Sequence, residues 1–259
     1  MIPFLQISSS RTLRIEANVI HQCWRSGVER LFLGSSRIYP ELAAPLKEDS
    51  LLSGPLEPTN RSYAIAKIAG IEMCWAYNRQ YGTRFLAAMP AKLYGPGENY
   101  RPSNSHLVPA LIRKMLEAKG CGQREVVVWG TGTPRRELLY REDAADACIF
   151  LATLARDSFN ELACNQEAPS LVNIGSSRDM MVREIAELVA EVVGIDPEQR
   201  FDASEPDGTP RKLLDTTRLT NLGWKPRTNL QDGLRQAHLD FCASYSASPA
   251  ETLVGPQED

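Results

Sequence analysis

The sequence predicts an α/β protein whose parallel sheet is doubly wound by helices. Three observations carry that expectation. Short apolar runs alternate with helical stretches, the runs stop at a glycine or proline, and polar residues of catalytic type stand just past those stops. In sheets of this kind, reacting groups lie beyond the carboxyl ends of the strands. Here those places fall at Ser35 and at Ala91-Lys92-Leu93.

Taken in order, Ile15, Val19, Ile20 and Trp24 recur at helical spacing and predict a helix over about 12–26. Leu31-Phe32-Leu33 reads as a buried strand that ends at Gly34. A long helix over 59–81 follows, with Pro58 before it, Asn60 or Ser62 as its cap and Gly82 after it. The next strand is 85–89, closed by Pro90. Beyond Tyr94-Gly95-Pro96-Gly97 the pattern is irregular. It yields a helix over 107–118, a strand over 126–129 ahead of Gly130-Thr131-Gly132, and a short strand over 137–140. A helix from Asp143 to about 154, a strand over 171–174, an amphipathic helix over 182–193 and a last helix over 230–241 complete the reading. The stretch 244–259 is small, polar and proline-containing, the composition of a mobile tail.

With 259 residues, 43% of them hydrophobic, the chain can bury a sizeable core in one or two domains. Its 29 basic and 32 acidic residues leave a net charge of −3, which argues against a nucleic-acid coat or a membrane-surface role. Six scattered cysteines without a C-x-x-C pair fit reduced thiols in a cytoplasmic protein rather than a disulfide frame or a zinc site. The opening apolar stretch is too short for a signal peptide, and no run approaches transmembrane length.

The chemistry centres on Tyr63 and Lys67, four residues apart and therefore on one helix face. A free phenol is a poor proton donor or acceptor at neutral pH. A neighbouring ammonium favours the phenolate, and a shift of about three units needs about 4 kcal/mol of differential stabilisation. Ser35 would hold a substrate oxygen in line, so that a sugar or alcohol oxygen exchanges a proton while a nicotinamide exchanges hydride. Tyr-x-x-x-Lys alone is equally the pattern of an ordinary surface helix. It is the strand-end Gly34-Ser35-Ser36 upstream that favours the catalytic reading.

Longer motifs extend the argument. They are Leu31 to Ser36, Leu56-Glu57-Pro58-Thr59-Asn60, Tyr63 to Gly70, Tyr77 to Gly82, Asn104-Ser105-His106, Val127 to Pro134 and Pro206 to Lys212. On these stretches the chain resembles the GDP-L-fucose synthase family, extended short-chain dehydrogenase/reductases that epimerise and reduce GDP-4-keto-6-deoxy-mannose. The resemblance implies an incomplete doubly wound, Rossmann-like parallel sheet with a smaller α/β substrate-binding domain. Residues 1–98 would be the C-terminal part of the nucleotide-binding domain, with further elements returning from 136–175, and 99–243 would mainly bind the GDP-sugar.

The same resemblance implies roles by position. Ser35, Tyr63, Lys67 and His106 would be catalytic, with His106 the acid–base histidine of epimerisation. Leu33, Gly34, Ser35, Ser36, Lys67, Pro90, Ala91, Lys92, Leu93 and His106 would contact NADP. Lys114, Trp129, Arg136, Asp207 and Lys212 would hold the GDP-sugar, although Arg135 beside Arg136 leaves the choice of phosphate contact open. A homodimer is implied, with helices paired into a bundle, and no metal.

Two departures from the family pattern bear on activity. No G-x-x-G-x-x-G turn occurs, since no glycine precedes Gly27. The chain is therefore expected to start just before the family's fourth strand, without the loop that receives the cofactor pyrophosphate. Arg37 stands where the family has a cysteine, and an arginine cannot release and recover a proton. Ala91-Lys92 also replaces the family's Thr-Asn. The expected function is a GDP-L-fucose synthase-like epimerase–reductase using NADPH. The alternative is a catalytically inactive truncated homologue that keeps sugar-nucleotide binding or dimerisation. A related epimerase of other specificity is disfavoured by Asn104-Ser105-His106 and by Pro206 to Lys212.

Overall fold

A computed structural model describes residues 3–32, 34–41, 45–102, 105–164 and 166–247. Helix α1 spans Pro3–Arg25 and begins ahead of the expected start, because its apolar periodicity only sets in at Ile15. After Gly27, at φ 70°, strand β1 runs Arg30–Phe32. A 3₁₀ turn at Pro58–Asn60 leads into α2, Arg61–Tyr81. Asn60 sits at the cap position, but its side chain donates to the Arg37 carbonyl instead of capping the helix. Gly82, at φ 67°, ends α2 in the left-handed conformation that glycine adopts without steric cost. Strands β2 (Arg84–Pro90) and β3 (Lys92–Tyr94) follow, then α3 (Leu107–Cys121), β4 (Glu125–Trp129), β5 (Arg135–Tyr140), α4 (Arg141–Thr153) and α5 (Arg156–Ala163). The remainder comprises β6 (Leu171–Ile174), β7 (Asp179–Met181), α6 (Val182–Val193), β8 (Glu198–Asp202), β9 (Arg211–Lys212), α7 (Thr217–Asn221) and α8 (Leu230–Ala247). Because α8 continues to Ala247, residues 244–247 are helical rather than part of a mobile tail. Residues 248–259 lie outside the described residues.

The chain forms two compact units. The first gathers Met1–Lys92, Ala144–Ser177 and Lys212–Pro226. The return of 212–226 to this unit is not legible in the sequence, which assigns that stretch to the substrate region. The first unit holds a parallel sheet in the order β1-β2-β6, with Leu31 opposite Phe85 and Ala88 opposite Val172. Strand β2 is central and buried along nearly its whole length, as a parallel strand covered on both faces should be. Asn78 of α2 fixes its start: its amide donates to the Phe85 carbonyl and accepts from the Phe85 N–H. Arg30 donates to the carbonyls of Leu151, Ala152 and Leu154, so a cation closes the C-terminal end of α4. Beyond the sheet, fully buried Asn173 ties three segments together. It accepts from Tyr39 Oη at 2.7 Å, donates through Nδ2 to the carbonyls of Leu46 and Asp215, and gives its N–H to Glu48.

The second unit gathers Leu93–Asp143, Arg178–Arg211 and Arg227–Asp259. Its core packs Ile112 and Met115 of α3 with Ile185 and Val189 of α6 and Leu234 of α8. Strand β5 pairs antiparallel with β7, and β4 pairs parallel with β8 in a separate two-stranded sheet. Asp143 accepts from the backbone N–H groups of Arg227 and Thr228 and so anchors the segment leading into α8.

Candidate functional site

In the first unit a 3₁₀ turn at Ser36–Ile38 is the next element after β1. A Cβ at Gly34 would collide with the Ala88 carbonyl oxygen and the Met89 sulfur, so only glycine lets the chain pass this close to β2. Ser35 opens a 3₁₀ turn over Ser36–Ile38, and its Oγ accepts from the Arg37 N–H at 3.4 Å. Ser36 Oγ donates to the Pro90 carbonyl at 2.5 Å, which joins this turn to the end of β2. The turn packs against α2. On that helix Tyr63 and Lys67 are both half-buried, one turn apart on one face.

Lys67 is engaged from the side of α1. Its Nζ donates to Glu16 Oε1 at 2.7 Å, and the Glu16 side chain is almost wholly buried. Burial raises the Glu16 carboxyl above its ordinary value, and the hydrogen bond and charge of Lys67 only partly oppose this. Arg37 is exposed and adds its charge to a group around Glu57. Glu57 Oε2 receives Lys212 Nζ at 3.5 Å, and Glu57 Oε1 receives the Thr59 hydroxyl. Burial alone would raise the Glu57 carboxyl, but Thr59, Lys212 and Arg37 together hold it below its ordinary value. Ala91 is buried and its N–H donates to the Ile174 carbonyl, while Lys92 opens β3 half-buried. Leu33 lies outside the described residues.

In the second unit His106 is exposed at the cap of α3, in extended conformation, and its carbonyl accepts from the Ala110 N–H. Asn104 lies outside the described residues, and Leu93 of β3 is exposed. Lys114 of α3 reaches β4: its Nζ donates to the Val127 carbonyl at 3.0 Å and lies 4.9 Å from the centre of the Trp129 ring. Burial, then the charge of Arg113, lowers the Lys114 ammonium from its ordinary value. Trp129 ends β4 with 59% of its surface exposed, an uncommon state for so large an apolar group. Asp207 accepts from both the N–H and the hydroxyl of Thr131, and Gly130 at φ 83° leaves room for that carboxylate. Arg136 donates to the carbonyls of Arg135, Thr209 and Asp207.

The expected residues thus form three groups. Tyr63 and Lys67 lie on α2, against which the turn opened by Ser35 packs. Lys114 joins Trp129. Arg136 joins Asp207 through main-chain oxygens. Lys212 is paired with Glu57. Three residues that organise these groups escape local sequence reading, namely Glu16, Thr131 and Asp179. Asp179 receives both Arg135 and Arg211. The one local signal was a carboxylate at Glu16 in line with apolar Ile20, on the buried face of an amphipathic helix. No group of three or more His, Cys, Asp or Glu side chains among the described residues is arranged to hold a metal ion. No described helix is long and apolar enough to cross a membrane.

A parallel β1-β2-β6 sheet, with a Tyr-x-x-x-Lys helix lying against the turn beyond its first strand, defines a Rossmann-like protein of the extended short-chain dehydrogenase/reductase class. Residues 8–175 match the family described as NAD dependent epimerase/dehydratase. GDP-L-fucose synthase 1 of Arabidopsis thaliana is 51% identical over 228 residues, covering 87% of this chain and 67% of that protein. GDP-L-fucose synthase of Escherichia coli is 50% identical over 233 residues, covering 89% and 72%. A solved structure of a GDP-mannoheptose C4 reductase from Campylobacter jejuni, with NADP bound, is similar at a TM-score of 0.76 and 31% identity, covering 89% and 75%. The chain belongs to the NAD-dependent epimerase/dehydratase family and, within it, to the GDP-L-fucose synthases. It spans about two thirds of the length of the curated relatives it matches.

Proposed function

We propose that the chain acts as a GDP-L-fucose synthase-type epimerase–reductase on GDP-4-keto-6-deoxy-mannose with NADPH, in the cytoplasm. One observation carries the reading: Tyr63 and Lys67 lie one turn apart on α2, both half-buried, with the turn opened by Ser35 packed against that helix. NADPH, when bound, supplies the hydride to the ketone carbon. The Tyr63 hydroxyl then gives its proton to the ketone oxygen, and the Lys67 ammonium stabilises the phenolate left behind. Ser35 Oγ donates a hydrogen bond to the same oxygen. The donor chemistry suits the cofactor. An ammonium has three N–H donors, the bond to Glu16 uses one, and two others match the paired hydroxyls of a ribose. Gly34, Ser36, Pro90, Ala91, Lys92, Leu93 and His106, with Leu33, would line the remainder of that site.

For the GDP-sugar, the exposed indole of Trp129 offers a stacking face and Lys114 a cation beside it. Arg136 and Asp207 would act mainly by shaping the loop around 207–209, since both already bond to the protein. Lys212 would reach substrate only by leaving Glu57. Epimerisation needs two groups that release and recover protons. His106 is one, and Arg37 cannot be the other, so epimerisation is severely impaired relative to reduction. Arg37→Cys is expected to increase the incorporation of solvent deuterium at the carbons beside the ketone. An unchanged rate in a folded variant that still binds GDP contradicts this assignment.

The exposed Ile15 and Val19 of α1 and Ile65 and Tyr81 of α2 fit helix pairing with a second copy as a homodimer. Arg37 also favours a second reading, a non-catalytic homologue that retains sugar-nucleotide binding. Fluorescence titration with NADPH and calorimetry with GDP separate the two. Binding of both ligands supports the enzyme, GDP alone supports the second reading, and binding of neither overturns both.

A further inference from the structure

Glu16 is a buried acid with no part in the chemistry above, yet it touches the residue on which that chemistry depends. Its Oε1 takes the hydrogen bond from Lys67 Nζ at 2.7 Å. Its Oε2 is buried without a hydrogen-bond partner among the described residues. The space for this carboxylate comes from Gly70, three residues beyond Lys67 on α2. A Cβ there would collide with Glu16 Oε2, so the helix carries a notch at the one position where the acid must enter. Glycine inside a helix is unfavourable relative to alanine, and here the missing methyl is filled by a side chain of another helix. One turn further, Cys74 is buried against the same region and its thiol is pushed up to about 12, first by burial and then by the charge of Glu16. The pair therefore sits in apolar surroundings. There a single well-aligned ion pair is held far more firmly than in water, and loss of either partner leaves an uncompensated charge.

We infer that Glu16 is a positioning residue: seated in the Gly70 notch, its carboxylate fixes the Lys67 ammonium on the Tyr63 face of α2. The inference rests on the roles proposed above for Tyr63 and Lys67. Glu16 does not touch substrate. It acts by removing the rotational freedom of a four-carbon side chain, so that the ammonium is already in place when a ketone and a cofactor ribose arrive. The notch is part of the device, because Gly70→Ala would expel the carboxylate while leaving both charged residues in the sequence.

The test uses the full chain in four forms, the parent, Glu16→Gln, Glu16→Ala and Gly70→Ala, each checked for folding by circular dichroism. Two readouts are taken. The first is the rate of Lys67 acetylation by acetic anhydride, resolved by peptide mass spectrometry, which needs no catalytic activity. The second is kcat and KM for NADPH-dependent reduction of GDP-4-keto-6-deoxy-mannose. Lys67 acetylation is expected to be faster in Glu16→Ala and Gly70→Ala, and to rise less in Glu16→Gln, whose amide oxygen accepts the same bond but carries no charge. In Glu16→Ala kcat is expected to fall by up to about a hundredfold with KM unchanged. Faster acetylation in Glu16→Ala with no turnover by the parent upholds the positioning and sinks the proposed function. Turnover by the parent with unchanged acetylation and kcat in Glu16→Ala overturns the positioning and leaves the function intact. A rise of kcat in Glu16→Ala also overturns it, because Glu16 would then be withholding the ammonium.

Discussion

In the first unit a carboxylate goes into the interior with a single cation. Glu16 meets Lys67 through one oxygen while the other is left without a hydrogen bond. In the second unit the half-buried Asp179 is gripped from two sides, by Arg135 Nε at 3.0 Å and Arg211 Nε at 2.5 Å. Burial raises the first carboxyl, and it would raise the second too if hydrogen bonds from Arg211 and Arg135 did not outweigh it and hold Asp179 low. A doubly paired acid serves as a staple. A singly paired one is tolerated at a cost, and the reason for keeping it is sought in the lysine it holds.

The largest break in this comparison comes from removing the cations. Lys67→Met leaves Glu16 charged and unpaired in the interior and is expected to lower stability by about 3–5 kcal/mol, measured by denaturant unfolding. In the second unit Asp207→Ala strips the acceptor from the Thr131 N–H and hydroxyl, at an expected cost of about 1–3 kcal/mol. Arg211→Met should cost least, within about 1 kcal/mol, because Arg211 is partly exposed and Arg135 remains in place. Equal losses for Lys67→Met and Arg211→Met would erase the contrast.

Acid sharpens the same comparison with opposite signs. A carboxyl whose folded value lies above its unfolded one takes up its proton first in the folded state. The parent should therefore gain stability relative to Glu16→Gln as the pH falls from neutrality toward 4.5. Asp179 is held below its ordinary 3.8, so its contribution is complete above that value and disappears as the pH falls through the lower folded one. The parent should thus lose its advantage over Asp179→Asn only in that more acidic range. Unfolding midpoints followed against pH check both, and stability differences that do not vary with pH contradict the assignment.

The elements that were legible in the sequence are those whose pattern is local. β6 and α6 fall where their apolar spacing puts them, and α2 differs from expectation only by the 3₁₀ turn at its start. The short strands β7 and β8 were not legible. Glu198-Gln199-Arg200-Phe201-Asp202 has no apolar run, and it becomes a strand because β4 offers it a parallel edge. Polar α5 has too few apolar residues to signal a buried face, yet Phe159 and Ala163 bury one. At the candidate site, Tyr63 and Lys67 were legible because a helix fixes their spacing. Glu16 was not, since it lies 51 residues from its partner and only the packing of α1 on α2 brings them together. The exposed face of Trp129 was likewise beyond the sequence, where a tryptophan at a strand end reads first as core.

The most direct measurement of the central claim is NADPH oxidation in the presence of GDP-4-keto-6-deoxy-mannose, comparing the parent chain with Tyr63→Phe. Oxidation by the parent is expected, with a rate lower by about a hundredfold or more in the variant and GDP binding unchanged. Equal rates in the two proteins would mean that the Tyr63 hydroxyl carries no proton in the reaction, and the enzymatic assignment of α2 would be wrong.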